Sequence, residues 1–397
     1  MTYPLHVLRC PRLFMAALLL AVFGAFALWP ERPWAQTGGK PIPQFKVDPF
    51  WPKPLPNPRD AEGLAHQWVT GEVGGNCIDS HDHIITVNRG FRPGGLLGQE
   101  GTQSIPAPPV VIYDIDGNII SSWGDATHNA DGTSAVLPNS VHGCFADYED
   151  NIWIAGNGDG VVQKWTHDGK KMLLQIGTKG VCDGPPIRKP PYTTCGEPGN
   201  NSSHTLLNNP ADIAVDPMPD PVTGERGSVY IADGYGNHRV VVFDARGKFL
   251  RQWGSSGSGP GQFVATGGGH PHCIVLGKDG TVYACDRGQN RIHASDRMGV
   301  LKRTIPVDPP DQMKATSRAD DLVLSPDEAY MYVVDLGSDR VWILDRASGA
   351  LLGGIGRAGH MAGEFVFPHT VATDSKGNLY VAETVGGRRN QKFLKVE

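Results

Sequence analysis

One phrase recurs along this chain: an apolar run, a turn that carries Asp and ends in Gly, a returning run and a closing glycine. It reads Val110-Val-Ile-Tyr-Asp-Ile-Asp-Gly-Asn-Ile-Ile-Ser-Ser-Trp-Gly124, returns in Val161 to Gly177, and again in Arg239-Val-Val-Val-Phe-Asp-Ala-Arg-Gly-Lys-Phe-Leu-Arg-Gln-Trp-Gly254. Short apolar runs joined by such turns are β-hairpins. A long chain made of repeated hairpins must stack its units, because no single unit can cover its own apolar faces. The fullest copy, His270 to Ile292, carries a polar residue at each mouth: His272 opens one strand, Lys278-Asp-Gly280 turns it, and Asp286-Arg287 close the return.

Six units follow from Trp68, ending at Gly124, Gly177, Gly254, Ile305, Gly356 and Glu397, each with about four short strands. The pattern predicts an all-β fold, a six-bladed β-propeller over residues 68–397. Unit six shows three strands, and Phe45-Lys-Val47 in the Pro-rich segment 37–67 is placed to supply the fourth, closing the ring without a long exposed edge. The excursions 90–109 and 178–208 interrupt the period and are expected to wall a pocket on one face.

Residues 1–36 carry Arg9 and Arg12, an apolar run from Leu13 to Leu28, and Trp34-Ala-Gln36, the layout of an export signal. The expectation is an exported protein, periplasmic or extracellular, with no membrane span in the mature chain. The formal charge is −5; the leader's three arginines and one glutamate give +2, leaving −7 on the remainder, which argues against nucleic acid. Beyond Cys10 the cysteines permit disulfides. Cys182 and Cys195 bracket the second excursion, Cys273 and Cys285 face each other across a hairpin, and Cys77 and Cys144 are either paired or buried thiols.

Aligned on their turns, the first strands place Gly74, His142, Ala211, His272, Asp320 and His369 in one column. Alternate blades of a six-fold ring stand about 120° apart, so His142, His272 and His369 would converge on the axis as three nitrogen ligands with an open position, an arrangement that suits zinc. Asp320 is the expected supporting residue of the ligand set. A histidine at a strand start is also readily a structural hydrogen-bonding residue, and His81, His83, His128, His167 and His360 are read that way. Arg89 and Arg287, at second-strand exits, suit a substrate carboxylate or else pair with neighbouring acids. Tyr235, mounted between glycines in Asp233-Gly-Tyr-Gly-Asn-His-Arg239, is a candidate base.

These residues resemble the NHL-repeat propellers and, within them, the peptidyl-α-hydroxyglycine α-amidating lyases. The resemblance is strongest at Val229 to Val240, Gly247 to Gly254, Pro271-His272 with Asp286-Arg287, and Phe367-Pro-His369. It implies a zinc-dependent lyase that cleaves a carbinolamide to an amide and glyoxylate. His142, His272 and His369 would hold the metal, Tyr235 would be catalytic, and Arg89 and Arg287 would grip a small-molecule or peptide-like substrate by its carboxylate. Thr370 stands where the family has an aspartate that helps hold calcium, which counts against a structural calcium. A non-catalytic exported propeller that binds a ligand or protein partner is the alternative, and a lactonase-like metal hydrolase is a weaker third.

Overall fold

The structure, a computed structural model, describes residues 40–59, 62–92, 94–124, 136–189, 193–196, 198–264 and 269–396. The expected signal 1–36 and His128 lie outside the described residues. Six four-stranded antiparallel sheets form the blades. Blade 1 comprises Val73–Ile78, Ile84–Asn88, Val110–Tyr113 and Ile119–Trp123. Blades 2 to 5 open with Val141–Ala146, Asp212–Asp216, Ile274–Leu276 and Ala319–Leu324. Blade 6 joins the two ends of the described chain. Gln44–Asp48 pairs antiparallel with Asn390–Val396, Phe45 opposite Lys395 and Val47 opposite Phe393. The expected closing strand is there, one residue longer at each end.

The first strands of successive blades lie against one another in a closed ring, blade 6 meeting blade 1. The apolar core is therefore divided among the seams. Val87, Leu137 and Ile154 fill the seam between blades 1 and 2; Met331, Val333 and Trp342 pack against Cys285 and Ile292 between blades 4 and 5. At the closing seam Trp51 of the Pro-rich segment sits with ring centroids 5.6 Å from Tyr113 and 5.0 Å from Tyr380, wedging blade 1 against blade 6. Aromatic pairs at such separations add about 0.5–1.5 kcal/mol beyond the area they bury.

Closing glycines recur at Gly124, Gly177, Gly254 and Gly356 because the chain leaves blades 1, 2, 3 and 5 in the left-handed region. Gly254 has φ +97°, and a Cβ there would stand 2.7 Å from the Phe263 ring. Blade 5, the most divergent copy in sequence, keeps all four strands. The excursions carry small sheets of their own, Trp68–Val69 against Ile105–Pro106 and Pro186–Lys189 against Thr193–Cys195. Three disulfides form, Cys77–Cys144, Cys182–Cys195 and Cys273–Cys285; the first ties the inner strands of blades 1 and 2. They fit an exported protein. Among the described residues no helix is long and apolar enough to cross a membrane.

Candidate metal centre

His142, His272 and His369 meet on the axis, each with a ligand nitrogen within 4.8 Å of the others. Their ring centroids make a nearly equilateral triangle, 4.7, 4.9 and 5.0 Å on a side. All three are buried. Each Nδ1 points at a backbone carbonyl of the next blade round: His142 at Ala211 O (2.7 Å), His272 at Asp320 O (2.8 Å), and His369 at Gly74 O (3.0 Å). A carbonyl can only accept, so each Nδ1 carries the proton and each Nε2 presents a lone pair. The three acceptors are the other half of the predicted column. Even blades supply imidazoles and odd blades supply the carbonyls that fix them. Burial is the main reason that all three histidines are held well below their ordinary value, which keeps them neutral.

The phenol oxygen of Tyr235 lies 3.0 Å from Nε2 of His142 and 3.0 Å from Nε2 of His272. One phenolic proton can satisfy only one of them, so the two lone pairs compete for a single donor while that of His369 stands close by. That excess of acceptors is what a cation relieves, and neutral nitrogens with one position left open suit zinc. The residues fit the metal.

Tyr235 is held by its surroundings. Its amide donates to Asn209 O at 3.2 Å, and Gly236 N to Asn208 O at 3.0 Å. A Cβ on Gly234 would stand 1.9 Å from Pro271 O, and one on Gly236 would stand 2.1 Å from Asn208 Oδ1. These glycines are required by close approach, with ordinary φ. Asn237 clamps the turn from below, donating to Asp233 Oδ2 (2.7 Å) and Asp183 Oδ2 (3.2 Å). Asp183 belongs to the second excursion, which thereby buttresses the tyrosine turn.

Arg287 lies over the Tyr235 ring, its guanidinium carbon 5.4 Å from the centroid, and donates to Asp320 Oδ1 at 2.9 Å. Asp320 is thus coupled to His272 through its carbonyl and to Arg287 through its carboxylate. Burial pushes its carboxyl up to about 6 against the opposing pull of Arg287, and Oδ2 has no hydrogen-bond partner among the described residues. Arg89 donates from Nε to Val141 O at 2.7 Å and from Nη1 to Glu72 Oε2 at 3.1 Å, while its buried Nη2 has no hydrogen-bond partner among the described residues. Each arginine thus pairs with an acid, Arg89 with Glu72 and Arg287 with Asp320. The Thr370 hydroxyl accepts from Asn76 N at 3.1 Å, a bond between blades 6 and 1. Below the triad a cavity of about 370 Å³ follows the axis, lined by Gly143, Cys144, Asp212, Asp321 and Val371 among others.

Histidines 83 and 167, read as structural, lie together with Asp79 on the opposite face. Sequence gave no local signal for that grouping, because 83 and 167 belong to turns of different blades. His81 and His360 are exposed.

No protein-family model matches the chain. NHL repeat-containing protein 3 of Homo sapiens is 24% identical over 369 residues, 88% of this chain and 84% of that protein. A "Probable peptidyl-alpha-hydroxyglycine alpha-amidating lyase" of Caenorhabditis elegans is 25% identical over 240 residues, 59% of each. Peptidylglycine alpha-amidating monooxygenase of Rattus norvegicus is 27% identical over 221 residues, 52% of this chain but 19% of that protein. Among solved structures, a streptogramin B lyase superposes with TM-score 0.50 at 12% identity over 89% of this chain and 98% of that one. A gluconolactonase of Xanthomonas campestris does so with TM-score 0.50 at 14% identity, over 89% and 100%. These last two share the fold. The chain is a six-bladed β-propeller similar to NHL-repeat proteins and to the amidating lyases.

Proposed function

We propose that this chain is a zinc-dependent carbon–nitrogen lyase that cleaves an α-hydroxyglycine-type carbinolamide to an amide and glyoxylate. The observation that carries the reading is the Tyr235 oxygen, 3.0 Å from two of three converging imidazole nitrogens. His142, His272 and His369 would hold the zinc, which when bound supplies a Lewis acid for the substrate oxygen. Tyr235, its phenolic proton lost when the cation is held beside it, would take the proton of the substrate hydroxyl. As the C–N bond breaks and the carbonyl of glyoxylate forms, the amide nitrogen takes a proton back, so none is gained or lost overall. Arg89, whose buried Nη2 has no hydrogen-bond partner among the described residues, and Arg287, over the Tyr235 ring, would hold the carboxylate and set the hydroxyl beside Tyr235. Asp320 holds Arg287 in place. The substrate is then a small or peptide-like molecule ending in a carboxylate, and the disulfides together with the signal-like start favour a periplasmic or extracellular setting.

Glyoxylate release from α-hydroxyhippurate by the zinc-loaded protein tests this. Turnover that Tyr235→Phe lowers by about 10²–10⁴-fold is expected for loss of the proton-transfer group. A rival reading, a propeller that binds a ligand on this face without turning it over, draws on the broader match to NHL repeat-containing protein 3. It predicts binding of carboxylate ligands with no glyoxylate.

A further inference from the structure

On the face opposite the axial histidines, one carboxylate oxygen is shared by two imidazoles from different blades. Asp79 Oδ2 lies 2.8 Å from His83 Nδ1 and 2.9 Å from His167 Nε2. Asp79 and His83 flank the first turn of blade 1, and His167 belongs to the last turn of blade 2. The His167 carbonyl accepts Trp123 Nε1 at 3.1 Å, which fixes that turn against blade 1. The carboxylate is buried, with 1% of its side chain exposed, whereas the rings of His83 and His167 are 31% and 34% exposed, so the cluster has a route to solvent.

The aspartate itself is a turn device repeated around the ring. Asp79 Oδ1 accepts the amides of His81 and His83, as Asp147 Oδ1 accepts Glu149 and Asn151, and Asp374 Oδ1 accepts Lys376 and Asn378. The second oxygen separates the blades. It meets Trp153 Nε1 on Asp147, Arg297 on Asp216, and the Tyr380 hydroxyl on Asp374. Indole, guanidinium and phenol keep their protons at neutral pH. Only on Asp79, among these turns, does that oxygen face groups whose protons a metal ion can replace.

We propose that Asp79, His83 and His167 form a second metal site, for a borderline divalent cation such as zinc, with His81 as a fourth ligand. Two imidazole nitrogens and a carboxylate oxygen are a zinc ligand set. Ligands about 2.0–2.2 Å from a tetrahedral ion stand roughly 3.3 Å apart, so the 2.8 and 2.9 Å contacts need open by only about half an ångström. His81, 68% exposed, stacks on His83 at 5.7 Å between centroids and can turn inward. The site would lock blade 1 to blade 2 on one face as Cys77–Cys144 locks them nearer the axis. It is independent of the reaction proposed for the axial centre.

Zinc counting on the full chain, stripped with chelator, reloaded and desalted, tests it. Wild type is expected to keep two equivalents, His142→Ala one, His167→Gln one, and the double variant none. His167→Gln retains a side-chain N–H for Asp79 Oδ2, so a purely structural clasp predicts an unchanged count and overturns the proposal. Circular dichroism confirms that each variant is folded, and Asp79→Asn, which keeps the turn acceptor, gives a second route to the same loss. One equivalent in His142→Ala that disappears in the double variant sustains this site even where no glyoxylate is formed at the other.

Discussion

Two histidine clusters in one molecule differ in where their protons point. On the axis, Nδ1 of each ring is committed to a carbonyl of the neighbouring blade, and three lone pairs are left facing a common centre. On the opposite face, both imidazoles aim at a single carboxylate oxygen, and that oxygen is satisfied by them. The electrostatics follow suit. Burial holds the axial rings well below their ordinary value, whereas the hydrogen bond to Asp79 holds His167 above it. Carboxyls diverge in the same way. Burial pushes Asp212 up to about 7 on the axis and Asp321 well above the usual range; at the rim burial also pushes Asp79 up, but hydrogen bonds from His167 and from the His83 and His81 amides outweigh it and hold the carboxyl low. The axis is a site of unmet need, and the rim is one of met need that a metal must displace.

The largest expected difference is in turnover. Tyr235→Phe should cost about 10²–10⁴-fold with zinc content unchanged, while His83→Ala leaves glyoxylate release at the wild-type rate. A comparable loss in both variants would erase the distinction between the faces. Next in size is Asp320→Ala. It removes the carboxylate paired with Arg287 but not the carbonyl that orients His272. Breaking a buried pair from one side costs about 3–5 kcal/mol, which urea unfolding would register while the axial zinc is retained.

A smaller effect separates axis from rim by pH. The folded state holds a proton on Asp212 up to about 7, whereas an ordinary aspartate releases it near 3.8. Asp212 thus weakens the fold progressively as pH rises through that window, and its contribution is most favourable below it. Asp212→Asn, neutral throughout, should gain stability relative to wild type between pH 4 and 8, measured by thermal unfolding across that range. A constant difference would mean that Asp212 ionises freely beside the cavity.

The fold was legible because hairpins repeat: turns that carry Asp and end in Gly, and closing glycines, mark the units, and the missing fourth strand of blade 6 points to Phe45-Lys-Val47. The axial triad was legible for the same reason, since three histidines share one column of alternate blades. What the alignment could not reveal is the part played by backbone. Gly74, Ala211 and Asp320 stand in that column, yet their carbonyls carry no side-chain signature. The partners of Arg89, Glu72 and Val141 O, come from loop geometry and from another blade. Asp79, His83 and His167 escaped because a turn aspartate and two separated histidines look ordinary until the ring brings blades 1 and 2 together.

The central claim is that the axial histidines and Tyr235 form a zinc-dependent lyase centre. Glyoxylate formation from α-hydroxyhippurate, measured on wild type and Tyr235→Phe with axial zinc occupancy determined in each, tests it most directly. Near-stoichiometric axial zinc in both proteins, with glyoxylate from wild type alone, is the predicted result. Zinc-loaded wild type that releases no glyoxylate, or a Tyr235→Phe variant that releases it as fast, would contradict the account.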